Sequence, residues 1–217
     1  VANAGLVRIS KVTAPSSLDL TTLATVKTEL GITDNTKDAQ LARYITAASI
    51  AAEQFCNRDF VVETVEDDFW PQRDSYPRPV TGGLGPLQLS QWPIVSITSV
   101  VENAITLTLG TDFVVDATNG QLTRLDGNSY PTYWPTVPIA VVYSAGYSSI
   151  PADIEDAVIR MVRNRWFAKG RDPLVRQQTV PGVLEQTFWV PTGTDAGNMT
   201  ADVEDILSNY RPSVFAT

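Results

Sequence analysis

Apolar residues recur at two different periods along this chain, and the change of period divides it. Between residues 19 and 58 the steps are three and four. Leu23, Val26 and Leu30 make one short stripe, with Thr21 or Thr22 placed to cap its start and Gly31 to end it. Leu41, Ile45, Ala48, Ala52 and Phe55 follow at spacings of 4, 3, 4 and 3. They predict a second helix capped by Asp34 or Thr36, with Asp38 in the first turn, where the dipole favours acid, and Asn57 at its end. Ala42, Ala47 and Ala51 keep its flanks slim enough for close approach of a neighbouring helix. Cys56 borders the stripe and reads as a small buried hydrophobe.

From Phe60 to Tyr147 the apolar positions alternate or cluster in short runs broken by Pro, Gly and Asn. The predicted strands are Val61–Trp70, Leu87–Ser90, Ile97–Glu102, Ile105–Leu109, Phe113–Val115, Gln121–Leu125 and Ile139–Ser144. Asn103-Ala104 and Thr118-Asn119-Gly120 supply hairpin turns. The Pro-rich stretches Pro71–Pro79 and Pro131–Pro138 read as loops. Short strands at this spacing predict an antiparallel sheet or small barrel and not βαβ units.

Helical spacing returns after Pro151, whose ring suits a first turn. Ile154, Ala157, Val158, Met161, Val162 and Trp166 form one face, and Gly170 and Pro173 stop the helix. A final short helix is predicted over 202–209, carrying Val203, Ile206 and Leu207. The expected class is α+β: a small helical bundle interrupted by an antiparallel sheet or barrel insertion, with an extended C-terminal arm. The expected organisation is an arm or short strand over 1–18, helical core over 19–58, β insertion over 59–147, third helix over 148–170 and C-terminal arm over 171–217.

Composition then removes most chemistry. The 217 residues include no His and a single Cys, which excludes His-based triads, disulfides within the chain and multi-cysteine metal sites. Sixteen Lys and Arg stand against 24 Asp and Glu, a net charge of −8, which disfavours gripping a nucleic-acid backbone. No apolar run approaches the roughly 18–20 residues that span a bilayer, and no signal-peptide core is present, so a soluble product of a reducing compartment, without membrane contact, is expected.

Three clusters remain as candidates. Glu66, Asp67 and Asp68 lie on a predicted strand with Asp67 facing away from the other two, and read as a solvated strand face without a desolvated acid for glycosidase-type catalysis. Thr81-Gly82-Gly83-Leu84-Gly85-Pro86 lacks the Lys-Ser/Thr and following helix that a phosphate cradle needs. Arg160, Arg163, Arg165, Lys169, Arg171 and Arg176 make one basic band in an acidic chain, with only Asp172 as an acid from 160 to 176. That band is either dipole complementarity with solvated arginines or a contact for an acidic partner, including another copy of the chain. Trp70, Trp92, Trp134 and Trp189 each lie beside or one residue from a Pro. They suit packing under loops or, as the alternative function, a virion or secreted carbohydrate-binding β module. No catalytic residue, cofactor or metal ligand is expected.

Several segments resemble the head–tail connector (adaptor) proteins of tailed bacteriophages. They are Leu23-Ala-Thr-Val-Lys-Thr-Glu-Leu-Gly-Ile; Asp34 with Asp38-Ala-Gln-Leu, Ile45-Thr-Ala-Ala-Ser and Cys56-Asn-Arg; Trp92-Pro-Ile-Val-Ser-Ile-Thr-Ser-Val; Asp112-Phe-Val-Val-Asp; Gly120-Gln-Leu; Val141-Val-Tyr-Ser-Ala-Gly-Tyr; and Ile150-Pro-Ala-Asp-Ile-Glu-Asp-Ala-Val. Their order covers roughly residues 20–170. The resemblance implies a virion neck protein made in the host cytoplasm, assembled as a ring of usually twelve copies. One side meets the portal protein and the other a stopper or tail-completion protein, and double-stranded DNA passes through the lumen unread. It also implies a portal-docking C-terminal arm, here Ile206, Leu207, Tyr210, Arg211, Val214 and Phe215, so that deletion after Met199 is expected to abolish docking. Burying such side chains contributes roughly 1.5–3 kcal/mol each before ordering costs. An acidic lumen would let the polyanion slide.

Overall fold

The computed structural model describes residues 6–70, 85–169, 177–180, 184–187 and 199–211. The chain divides into two units, one from residues 1–17 and 59–149, the other from 18–58 and 150–217.

The first unit is antiparallel β structure in two open sheets. The larger has the order β1-β2-β9-β4-β5, formed by β1 (Leu6–Thr13), β2 (Glu63–Phe69), β9 (Ile139–Ala145), β4 (Ile94–Glu102) and β5 (Ile105–Thr106). The smaller places β7 (Gln121–Leu125) between β3 (Leu87–Gln88) and β6 (Phe113–Asp116), with β8 (Pro131–Thr132) also paired to β7. Neither sheet closes, so the barrel alternative is wrong: β1 and the two-residue β5 end the larger sheet as edges.

Period-two patterning explains the core. Along β2, Glu63, Val65, Asp67 and Phe69 are buried while the residues between them are half-buried, and β9 repeats this with Ile139, Val141, Tyr143 and Ala145. The register sets Val65 against Tyr143, Asp67 against Val141 and Phe69 against Ile139. Val65, Phe69, Ile139, Val141, Tyr143 and Ala145 share one core cluster with Leu87, Leu89, Val100, Phe113, Leu122 and Trp134. Gly146 holds φ +125°, and a Cβ there would lie 2.7 Å from the Val61 carbonyl oxygen, so this close approach admits only glycine.

Most predicted strands recur with shifted ends: β2 starts later than Val61, β4 earlier than Ile97, and β3 and β5 shrink to two residues each. The Asn103-Ala104 turn stands, both residues having positive φ, and so does Gly120. Pro131–Pro138 is not wholly loop, since Pro131 and Thr132 form β8. Pro71–Pro79 and the glycine loop up to Leu84 lie outside the described residues.

The second unit holds α1 (Leu23–Leu30), α2 (Asp38–Cys56), α3 (Ala152–Ala168) and α4 (Ala201–Ser208), together with a separate two-stranded ladder of β10 (Gln177–Val180) and β11 (Leu184–Thr187). Thr22 is the cap of α1, its Oγ1 accepting from Thr25 N, and Gly31 ends the helix in the left-handed conformation at φ 66°. The expected caps of α2 are corrected. The Asp34 carboxylate instead accepts from both the backbone N and the hydroxyl of Thr36. This turn delays the helix to Asp38, behind Lys37, which makes no side-chain cap. Pro151 precedes α3 as its cap residue, and Asp153 and Glu155 fall in the first turn. Leu41, Ile45, Ala52, Cys56, Ile154, Val158, Val162, Val203 and Leu207 are buried. Trp166 is only half-buried, at the rim of the face expected for it.

Candidate functional site

The residues singled out from the sequence fall on two separate parts of the second unit and one part of the first. The basic band lies along α3 and just beyond it. Its described members already have partners within the chain. Arg160 donates to Asp156 and to Asp202, both at 2.8 Å. These two bonds push the guanidinium further up in pKa, while the Thr200 hydroxyl and then Arg160 hold Asp202 below the usual carboxylate range. Arg163 stands 3.9 Å from Glu29, Arg165 stacks 4.5 Å from the Tyr44 ring centre, and Lys169 donates to Gln40 at 2.6 Å. The arrangement ties α3 to α1, α2 and α4 along one helical bundle. Arg171 and Arg176 lie outside the described residues.

The terminal segment is divided by its burial. Val203 and Leu207 of α4 are fully buried, and the Leu207 carbonyl accepts from the Cys56 thiol at 3.4 Å. Burial pushes that thiol up to about 11. Ile206 is half-buried. The Tyr210 hydroxyl donates to both Asp153 oxygens, at 2.8 and 2.7 Å, and its carbonyl accepts from Arg58 at 3.4 Å. Arg211 lies 5.1 Å from the Phe55 ring centre. Thus residues 203–211 complete the bundle, and Val214 and Phe215 lie outside the described residues. Sequence patterning gave α4 its apolar positions but not their destination, because a two-turn stripe does not say which surface it covers.

In the first unit the acidic run is not one solvated face. Asp67 is fully buried. Its Oδ2 accepts from Ser90 N at 2.7 Å and from the Tyr143 hydroxyl at 2.8 Å, and its Oδ1 accepts from the Ser90 hydroxyl at 2.7 Å. Tyr143 also accepts from Gln91 N at 3.1 Å. Burial, and then the Asp67 charge, raise the tyrosine's pKa. The network fastens the segment after β3 to the centre of the larger sheet and leaves no exposed nucleophile–base pair. The signal was available in part: alternation along β2 put Asp67 opposite Glu66 and Asp68, and so on the core face.

A second buried carboxylate was missed. Glu63 is inward-facing with its side chain 2% exposed, and Lys11 Nζ stands 3.0 Å from its Oε2 and 2.8 Å from Asp59 Oδ2. Burial raises the Glu63 pKa, and neighbouring Asp59 adds to this against the opposing Lys11. The pair clamps edge strand β1 onto β2.

A polar depression of about 350 Å³ lies around Arg124, lined among others by Glu102, Asp112, Asp126, Thr132 and Tyr133. Arg124 is committed within it, donating to Glu102 at 3.0 Å and to the Asp112 and Leu125 carbonyls at 2.6 and 2.9 Å. Trp134 is fully buried, its Nε1 donating to the Leu122 carbonyl, so it cannot join an aromatic platform for sugars. Trp70 is exposed, and Trp189 lies outside the described residues. Among the described residues no group of three or more Cys, Asp or Glu is placed to hold a metal, and no helix is long and apolar enough to cross a membrane.

The clusters singled out above, where described, join elements of the α+β chain: Arg160 to Asp156 and Asp202, Asp67 to Ser90 and Tyr143, and Arg124 to Glu102. The sequence pattern of the head completion protein family matches residues 19–212, and the chain belongs to that family. This agrees with the connector resemblance and assigns the chain to structural proteins, not to enzymes. Three solved structures share its fold. A chain in the neck of an empty gene transfer agent (GTA) particle, determined with C6 symmetry, matches at TM-score 0.57 and 16% identity. A chain of the native GTA virion matches at 0.55 and 17%. A chain in the neck of the native particle, determined with C12 symmetry, matches at 0.54 and 16%. Each match covers 97% of this chain and 98% of the other. Comparison with curated protein sequences finds no match.

Proposed function

We propose that this chain is a neck adaptor of a phage-like particle, assembled as a ring, with twelve copies as the expected number, between the portal protein and a stopper or tail-completion protein. The observation that carries the reading is end-to-end likeness to chains of GTA necks together with membership of the head completion family over 19–212. Double-stranded DNA passes through the lumen, where a net charge of −8 on each copy disfavours adhesion of phosphate backbone.

Portal docking is assigned to the end of the chain. Leu207 and Tyr210 serve the bundle, so the contact falls to Val214 and Phe215, with Arg211 and half-buried Ile206 at the base of the arm. Many copies acting together allow each arm to be weak alone. Among the described members of the basic band, Arg163 is open to a neighbouring copy, with 56% of its side chain exposed and Glu29 at 3.9 Å. Arg160, Arg165 and Lys169 support the bundle from which it reaches, and Arg171 and Arg176 continue the band. The domain organisation proposed for assembly keeps the β insertion as one body and the helical bundle as the other.

Co-sedimentation of the full chain with portal rings from the same source tests the reading. Saturable binding that disappears when the chain ends at Arg211 is expected. Equal binding by the shortened chain would contradict the assigned arm, and no binding by either would contradict the adaptor.

A further inference from the structure

We infer that the polar depression around Arg124 receives the end of α3 of a neighbouring copy, with Arg163 and Phe167 as its anchors. The inference rests on the ring assembly proposed above and names one of its subunit contacts. The depression lies wholly within the β unit, between the β4–β5 turn, the segment before β6 and the β7–β8 turn. Glu102, Asp112 and Asp126 line it against one guanidinium, that of Arg124, a formal excess of two negative charges. Asp126 spends Oδ1 on its own turn, accepting from Asn128 N and Tyr130 N, and its Oδ2 accepts from no described residue. Asp112 Oδ2 accepts from Thr108 N, while its Oδ1 stands 3.8 Å from Arg124. Each of these carboxylates has an oxygen to offer.

The surroundings are apolar. Tyr133 lines the depression, Tyr130 and Leu109 lie within two residues of its lining, and Ile105 pairs with Glu102. All four are exposed. Large apolar side chains clustered on one surface mark interaction sites, and Tyr and Arg dominate such contacts. The complement is on the helical bundle. Arg163, Arg165 and Lys169 fall at the end of α3, and Glu29 is the one acid paired with them among the described residues. Arg165 stacks on Tyr44 and Lys169 donates to Gln40, contacts that leave both charges uncompensated. The Arg163–Glu29 pair is long and exposed, a kind that contributes little. The excess here is two positive charges, and the sequence continues it with Arg171 and Arg176 against Asp172. Phe167 follows Arg163 by four residues, on the same helix face, and is 67% exposed. A guanidinium suits both a carboxylate and a tyrosine ring, and Phe167 suits the tyrosines. The two surfaces are unlike and lie on different units, so the contact is heterologous, the kind that closes a ring.

The test mixes two full-length variants, Gly127→Cys in one and Asn164→Cys in the other, with portal rings and a short bismaleimide. A Cβ at Gly127, in the lining, meets no atom within 4 Å, and Asn164 is exposed beside Arg163. A tag on one variant identifies the mixed dimer, which can arise only between copies. Cys56 is buried and common to all. A control mixture replaces Asn164→Cys with Gln54→Cys, exposed about 20 Å along α2 from the Gln40 that Lys169 contacts. The docking predicts mixed dimer at about tenfold or more over the control, as expected when reactive groups are held together. Adding Arg163→Glu and Phe167→Ala, both at exposed positions, to the Asn164→Cys variant should return the yield to the control level. No excess over the control overturns the contact, and so does an excess that survives the added substitutions. Portal-bound rings in electron micrographs without the excess leave the adaptor standing and remove this contact. An excess that depends on the two anchors, without such rings, supports the contact and counts against the ring.

Discussion

The Cys56 thiol and the Leu207 carbonyl oxygen meet at 3.4 Å, 151 residues apart in sequence, fixing the terminal helix α4 against the end of α2. The residues immediately before the proposed arm are therefore core. Leu207→Ala is expected to destabilise the bundle by about 2–5 kcal/mol, the range for a buried Leu truncated to Ala. Urea denaturation measures it. By the same reasoning a chain ended after Met199 loses Val203 and Leu207 and unfolds at lower urea, whereas one ended at Arg211 keeps its midpoint. The earlier cut would abolish docking for the wrong reason.

Cys56 also reports on packing through its chemistry. Burial raises its pKa from 9.0 to about 11, so the native thiol stays protonated near neutrality and is shielded. A disulfide reagent at pH 8 is expected to react with it only as fast as the bundle opens, and rapidly in urea. The sign for stability follows. Above pH 9 the unfolded thiol ionises first, so stability falls as pH rises from 9 through about 11. Tyr143, raised above its ordinary value of 10.0, acts in the same direction at higher pH. Cys56→Ser should flatten the first part of that decline.

The buried Asp67 gives a prediction for the first unit. Asp67→Ala leaves Ser90 N, the Ser90 hydroxyl and the Tyr143 hydroxyl without their acceptor. Each buried group left unsatisfied costs about 1–3 kcal/mol. Asp67→Asn should cost less, because the amide oxygen still accepts and the hydroxyls can rotate to accept from its NH₂. Equilibrium denaturation of both variants, with Ser90→Ala for comparison, separates lost acceptors from lost volume.

Glu63 makes an opposite contribution to pH dependence from that of an ordinary paired carboxylate. Its folded pKa is raised above 4.5, chiefly by burial, so the folded state takes up the proton more readily than the unfolded one. Stability therefore falls as pH rises through the window that begins near 4.5. Glu63→Gln is expected to remove that slope. A pH series of thermal melts on both proteins measures it, and a steeper slope in the variant would contradict the assignment.

Much of this was legible in particular residues. The 4, 3, 4, 3 spacing from Leu41 to Phe55 located α2, and alternation located β2, β7 and β9, because each pattern follows from a backbone period. Gly31 and Asn57 marked helix ends because both adopt left-handed φ there, 66° and 50°. The start of α2 was misread because Asp34 and Thr36 are equally good as turn residues, and their mutual bonding prevailed over capping. Asp67 and Glu63 were missed as buried because polar side chains look solvated until the cross-strand donors are known. Those donors, Ser90, Tyr143 and Lys11, lie 23, 76 and 52 positions away. The basic band was visible, but its internal partners Glu29, Tyr44 and Asp202 were not, since only folding brings them to α3.

In the proposed assembly the chain forms a ring on the portal through its last residues. Electron-microscopy class averages of portal rings mixed with the full chain, and with a chain ended at Arg211, test it most directly. A layer of added ring density is expected with the full chain and bare portals with the shortened one, both proteins being equally stable to urea. Bare portals in both samples at micromolar concentrations well above those in the full-chain binding assay would contradict it.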